Sequence, residues 1–258
     1  MFLKSFSLIL RKVSVLLLLL ACPVMRAAVP QWMAGAFEPI DQPWYVVADM
    51  GTSFGQCTFR SITENGTHAG FQSGIAGGYR MNHLISFEAG LQFGGQTETA
   101  LDCCPYWLSA DGKRFVSPVL DKKGWYYRDI ESSTGWGKLM AQANFEVLSL
   151  FMEQDFPWSF SLAPQLSIVT TRSKLITPES DLINNRQWHI GIGGQAIVGY
   201  RLNDDMDAAL YTGITCLTGK RFDNLPEHEH KSNFIWDTGI RLIYRFDLGS
   251  YFSSLLKK

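Results

Sequence analysis

The sequence predicts an all-β fold: an eight-stranded antiparallel transmembrane up-and-down β-barrel, preceded by a signal peptide. Three observations predict it. Apolar residues recur at every second position in segments of about ten to fifteen residues, the period of a strand with one greasy face. The connections between those segments alternate between short and long. Aromatic residues collect at both ends of the apolar faces, where Trp and Tyr favour a water–lipid boundary.

Composition sets the outer bounds. The 258 residues are 46% hydrophobic and 18% charged, too apolar for a disordered chain and enough for one substantial domain. Lys and Arg number 23 against 24 Asp and Glu, so no broad basic field exists to hold nucleic acid. The mean hydropathy of -0.01 argues against a bundle of membrane helices, each of which needs about 20 consecutive apolar residues.

The first segment reads as an address. Lys4, Arg11 and Lys12 precede the Val- and Leu-rich run Val13 to Cys22, a charged start followed by an apolar core too short to span. Cleavage after Ala27 or Ala28 makes 1–28 the signal peptide, 29–43 a short periplasmic segment and 44–252 the barrel. Leu19-Leu20-Ala21-Cys22 offers a second reading, a lipoprotein box acylated at Cys22.

Three strands are clearest. In Leu84 to Gly95, Ile85, Phe87, Ala89, Leu91 and Phe93 face one way, and Glu88, Gly90, Gln92 and Gly94 the other. Gln187 to Tyr200 repeats the pattern with Trp188, Ile190, Ile192, Ala196 and Val198 against His189, Gly191, Gly193 and Gln195; only Ile197 intrudes on the polar side. Phe234 to Leu248 sets Trp236, Ile240, Leu242, Tyr244 and Phe246 against Asp237, Gly239, Arg241, Arg245 and Asp247. Weaker strands are read at Trp44 to Phe54, Gly70 to Met81, Lys138 to Phe151, Trp158 to Thr171 and Asp207 to Thr218. In the last of these, Leu210 and Tyr211 have no assignable side.

Tight links are expected at Asn82-His83, Asp155-Phe156-Pro157 and Asn203-Asp204-Asp205. Long ones are expected at Gly55 to Ala69, Thr97 to Gly135, Arg172 to Arg186 and Gly219 to Asn233. Oriented by these links, Trp44, Tyr79, Trp158, Tyr200 and Phe246 form a girdle at the short-turn end. Phe54, Phe93, Trp188 and Trp236 form one at the long-loop end. Trp136 breaks parity with Phe145 and Phe151, so it needs a bulge or lies off the lipid wall.

The chain resembles the small outer-membrane barrels of the OmpA type. The resemblance rests on Gly77-Gly78-Tyr79-Arg80-Met81-Asn82 closing a strand into a turn, on Phe87-Glu88-Ala89-Gly90-Leu91, and on Gly239-Ile240-Arg241-Leu242-Ile243-Tyr244-Arg245-Phe246. It implies the outer membrane of a Gram-negative bacterium, contact with membrane lipid and the barrel-assembly machinery, and an extracellular partner of unknown identity. Members of such families usually end at an aromatic residue, whereas this chain continues through Tyr251-Phe252 to Lys258. Either the last strand runs longer or the assembly signal is internal.

Eight strands leave an interior just wide enough for side chains to fill it. The inward set is read as Asp49, Arg80, Glu88, Gln92, Gln142, Asn144, Glu146, Gln165, Arg241 and Arg245. Glu88 and Glu146 against Arg241 and Arg245 are expected to form a structural charge network; a gated ion path along the same groups is the rival reading. The longest loop, 97–135, carries Tyr106, Trp107, Trp125, Tyr126 and Tyr127. Trp107, Trp125, Tyr126 and Tyr127 are candidate recognition residues, unless they fold the loop onto itself.

Export permits disulfides, and Cys57 is placed to pair with Cys103 or Cys104 across external loops, with Cys216 an apolar filler of the wall. His228 and His230 with Glu227 or Glu229 do not complete a tetrahedral metal site, and Asn65-Gly66-Thr67 is a chance glycosylation sequon in this context. His189 reads as a hydrogen-bonded filler. No metal, cofactor or catalytic constellation is expected, so the function expected is envelope structure or surface recognition. The alternatives are a lipid-modifying outer-membrane enzyme, which would need a nucleophile, a base and an orienting group together, and a soluble lipocalin-like binding barrel, which would turn its apolar side chains inward.

Overall fold

The computed structural model describes residues 40, 42–63, 66–100, 106–120, 122–152, 156–179, 181–183, 186–219, 222, 225 and 233–247. The signal segment with Cys22, Asn65 of the sequon, Cys103 and Cys104, the motif Glu227 to His230 and the stretch Tyr251 to Lys258 lie outside the described residues.

Eight long strands form the wall: β1 (Trp44–Gln56), β2 (Gly70–Arg80), β3 (Ile85–Thr99), β4 (Glu131–Glu146), β5 (Trp158–Ile176), β6 (Gln187–Arg201), β7 (Met206–Leu217) and β8 (Asn233–Phe246). Each pairs antiparallel with its neighbours in sequence, and β8 pairs with β1, so the sheet closes on itself. Closure removes the edges at which unpaired backbone groups would remain.

Each ladder holds one register, and the stagger around the barrel can be read from the pairs. Val46 opposes Gly77, and the line runs through Ala89, Ala141, Leu166, Ile192, Cys216 and Phe234 back to Gln56, ten residues further along β1. At ~4.8 Å between strands and ~3.3 Å rise per residue, a stagger of ten over eight strands requires a tilt of about 40°.

The outward face of β5 is apolar from Trp158 to Ile168 and then turns to Thr170, Arg172 and Lys174. At that tilt Trp158 to Ile168 spans about 25 Å along the axis, the height of the lipid-facing band of a membrane barrel. The remainder of β5, with the ends of β3 and β4, projects above the band. Asp181–Ile183 folds back to pair with Lys174–Ile176 at the tip of β5.

Strand existence follows the alternation, but several bounds differ from the sequence reading. β4 runs Glu131–Glu146, not Lys138 to Phe151. Its first residues, Glu131 to Gly135, are polar or small on both faces, because this part of the strand stands clear of the apolar band. Beyond Glu146 the chain makes a 3-10 turn at Leu148–Leu150, so the link to β5 spans 147–157 and is not the tight link expected at Asp155 to Pro157. The 97–135 loop shortens to 100–130. Within it Trp107–Leu108 pairs with both Phe115–Val116 and Trp125–Tyr126 in a small separate sheet.

Facing is resolved at the ambiguous positions. Leu210 points out and is 63% exposed, while Tyr211 points in at 2%. Trp136 is buried on the lumen side with no bulge in its ladder, so the parity break marks an inward aromatic. Its ring occupies the space that a Cβ on the opposed Gly94 would need. Gly78 makes the same accommodation for the Tyr45 ring.

Gly94 and Gly77 therefore make a matched test. Gly94→Val forces Trp136 from its position and is expected to cost about 1–3 kcal/mol. A Cβ at Gly77 meets nothing within 4 Å, so Gly77→Val is expected to change stability by less than about 0.5 kcal/mol. Urea midpoints of the folded barrel in detergent distinguish the two; equal midpoints would contradict the packing described.

Candidate functional site in the barrel lumen

The lumen is layered, and β8 crosses every layer with its odd-numbered residues inward: Ile235, Asp237, Gly239, Arg241, Ile243 and Arg245, from the long-loop end to the short-turn end. The order apolar, anion, glycine, cation, apolar, cation predicts what each level of the interior holds.

At the long-loop end an apolar plug closes the barrel. Ile235 packs with Cys57, Trp136, Val169, Leu217 and Phe222. Above it Phe59, Leu108, Trp125, Tyr127, Ile130, Leu175 and Leu225 form the core of the loop cluster. Tyr127 donates its hydroxyl to the Thr58 carbonyl at 2.8 Å, tying the longest loop to the first.

Below the plug lie the buried charges. Lys138 Nζ is 3.7 Å from Asp237 Oδ2, both side chains shut from solvent, and the ammonium also lies 5.6 Å from the Trp136 ring. No hydrogen-bond donor among the described residues reaches either Asp237 oxygen, so the Lys138 charge is what offsets it. One layer down, Arg241 bridges two carboxylates, Glu88 at 3.4 Å and Asp49 at 3.7 Å. Its Nη2 donates to Gln195 at 3.1 Å, and the guanidinium lies over the Tyr211 ring. Gln92 and Gln72 donate to the Asp49 oxygens at 3.3 and 3.4 Å. The planar fork presents separate N–H groups to the two carboxylates in a fixed geometry.

The expected quartet is thus divided. Glu88 and Arg241 meet. Glu146 instead accepts the Phe160 backbone N–H and the Ser161 hydroxyl, both at 2.6 Å. Arg245 makes a two-pronged ion pair with Asp207. Asn144 donates to Tyr45 and Ser86 at 3.1 Å and accepts from Gln142 at 2.9 Å, and Gln165 donates to the Met140 sulfur at 3.0 Å. The sequence reading missed the Lys138–Asp237 pair. The signal available was a lysine on the same parity as Gln142 and Asn144.

The other candidates are placed as follows. His189 is buried, with ring nitrogens 3.1 Å from the Thr171 hydroxyl and 2.8 Å from the Thr218 carbonyl. Trp125 and Tyr127 are inside the loop core, Trp107 is half-buried, and Tyr126 is exposed with the Trp107 ring edge-on at 4.7 Å and Arg128 over its face. The Cys57 thiol lies buried, 3.6 Å from a Glu98 carboxylate oxygen; its expected partners Cys103 and Cys104 lie outside the described residues. Cys216 is on the outer wall. Among the described residues no cluster of three metal-ligating side chains occurs.

The outer surface carries the girdles. Trp44 packs edge-on to Tyr79 at 4.9 Å and Trp158 to Tyr200 at 5.0 Å at the short-turn end. At the other end Phe54 lies 5.4 Å from Trp236, whose indole N–H donates to Thr212. Between the rings, Met50, Ile75, Leu91, Leu166, Ile190, Leu210 and Ile240 are exposed.

No known protein family matches the chain, and no curated protein matches it in sequence. Among solved structures it is similar to Neisserial surface protein A, with 16% identity, a TM-score of 0.46 and coverage of 79% of this chain and 97% of that one. It is also similar to Ail, the attachment invasion locus protein of Yersinia pestis, at 9% identity, TM-score 0.43 and coverage of 80% and 100%. A third likeness is the N-terminal β-barrel domain of OprF from Pseudomonas aeruginosa, at 12% identity, TM-score 0.38 and coverage of 80% and 98%.

Breaking one partner of a buried pair should cost more than removing both. Lys138→Met leaves Asp237 charged and unopposed, an expected loss of about 3–5 kcal/mol, whereas Lys138→Met with Asp237→Leu should return to within about 1 kcal/mol of the parent. Equilibrium urea unfolding measures both; a double variant no better than the single one would contradict the pairing.

Proposed function

We propose that the chain is an integral outer-membrane β-barrel of the OmpA type from a Gram-negative bacterium, non-enzymatic, serving envelope structure or surface recognition through its long loops. The observation that carries this reading is the direction of the wall: large apolar side chains point out of a closed barrel and the charges point in. Leu91 and Ile240 are 43% and 55% exposed, while Glu88 and Arg241 are 4% and 3%. A soluble lipocalin-like barrel needs the reverse arrangement, since its interior receives apolar ligands and its exterior meets water.

Membrane lipid is then the principal partner, and the girdles mark the boundaries of the band. The plug and the two ion-pair layers support a filled lumen over an ion path, because a path would need water-filled width that they occupy. Among the described residues, Tyr126, Val119 and Leu120 are exposed large apolar side chains of the longest loop, available to an extracellular partner. A lipid-modifying enzyme would need a base within reach of a nucleophile. His189 does lie against a hydroxyl, that of Thr171, but both are buried on the lumen side, away from the lipid-facing surface where such a substrate would lie, and the other ring nitrogen is held at the Thr218 carbonyl.

Two measurements test the reading. Extraction from membranes should require detergent, and the folded protein should migrate differently on gels before and after heating. Full solubility without detergent would contradict the proposal. Leu91→Arg, mid-wall, should destabilise the barrel in lipid vesicles by about 2–4 kcal/mol; an unchanged unfolding midpoint would count against a lipid-facing wall.

A further inference from the structure

Among the described residues the lumen is filled at the long-loop end and leaves a cavity at the other. Beneath Arg241 a cavity of about 630 Å³ opens towards the short turns, within the size range of small-molecule sites. Its walls divide by chemistry. One side is apolar, built by Leu84 and Ile85 with Leu148, Leu150, Phe151 and Phe156 of the 147–157 link. The other carries Arg80, Arg201, Arg241 and Arg245 with Glu88, Glu146 and Asp207.

The carboxylates in that wall are occupied. Glu88 lies against Arg241, Asp207 against Arg245, and both Glu146 oxygens accept hydrogen bonds from Phe160 and Ser161. Arg80 differs: no side-chain hydrogen bond or ion pair engages its guanidinium among the described residues, and its charged neighbours, Arg245, Asp207 and Glu146, are each engaged elsewhere or of like sign. Two guanidinium forks thus stand near each other at the wall of a cavity whose carboxylates are already ion-paired or hydrogen-bonded. Such a pair favours an oxyanion, and the facing apolar wall favours a hydrocarbon body attached to it.

We propose that this cavity is a binding site for an amphipathic oxyanion, a phosphate or carboxylate carried on an apolar body, with Arg80 as the principal anion contact and Leu148, Leu150, Phe151 and Phe156 as the apolar contact. The group enters from the short-turn end, because the ion-pair layers and the apolar plug block the other. The inference rests on the closed barrel and its lumen and does not depend on the wall facing lipid.

The full-length folded protein in a neutral detergent is titrated calorimetrically with 1-naphthyl phosphate and with 1-naphthol. Naphthyl phosphate should bind saturably at one site and at least about tenfold more tightly than naphthol. Arg80→Gln should weaken it about tenfold or more, Arg80→Lys by less, and Arg172→Gln, on the outer wall, should leave it unchanged. Gel migration with and without heating confirms that each variant is folded. The comparison of phosphate with alcohol on the unaltered protein holds even if Arg80→Gln does not fold. Equal affinity for phosphate and alcohol, or parent affinity in folded Arg80→Gln, overturns the proposal. Competition then assigns the source: displacement by inorganic phosphate points to a free solute, and displacement by dihexanoyl phosphatidate alone points to a lipid headgroup. Displacement by neither overturns the proposal as well.

Discussion

Closure of the backbone ladder is the constraint on which everything else depends. A tilted sheet whose eighth strand pairs with its first leaves no row of unpaired N–H and C=O groups on the wall. The ten-residue stagger fixes the parity of each strand, so that alternate side chains are committed to a narrow interior and cannot reach water through the wall. Pro164, which has no N–H to donate, sits within β5 facing outward, where the β4–β5 ladder has a local gap.

Commitment of charges to that interior determines what can lie there. A buried ion left alone costs several kcal/mol, and the cost falls when a counter-charge and hydrogen bonds share its field. The Arg241 fork between Asp49 and Glu88, and the Lys138 ammonium against Asp237, satisfy this requirement at adjacent levels. The apolar plug above them and the glycines opposite Tyr45 and Trp136 fill the remaining width with rings. Below them the described residues leave a cavity, which gives the barrel two unlike ends. One holds loops that share a core, and the other a cavity with a polar and an apolar side.

Much of this was legible in the sequence, and the failures have physical causes. Period-two alternation located all eight strands, because a wall with unlike faces must alternate. The girdle residues fell at the strand ends for the same reason. Bounds failed where the contrast between faces disappears: Glu131 to Gly135 is polar or small throughout, and Leu148, Leu150 and Met152 alternate apolar residues through what is a 3-10 turn and its exit. Charge pairing was legible only in part. Inwardness is a property of one strand, but the choice of Asp237 for Lys138, or Asp207 for Arg245, depends on the stagger around the ring, which no single segment encodes. Trp136 looked like a parity error because aromatics were assigned to the wall, while the small Gly94 opposite it was the clue to an inward ring.

The central claim, that the apolar face of the closed wall meets acyl chains, is tested most directly by nitroxide labels at Met50, Leu166 and Leu242 in the protein reconstituted into lipid vesicles. Collision with dissolved oxygen should exceed collision with a water-soluble nickel chelate at all three positions, and most strongly at Leu166, near mid-wall. Preferential collision with the chelate at these positions would contradict the account.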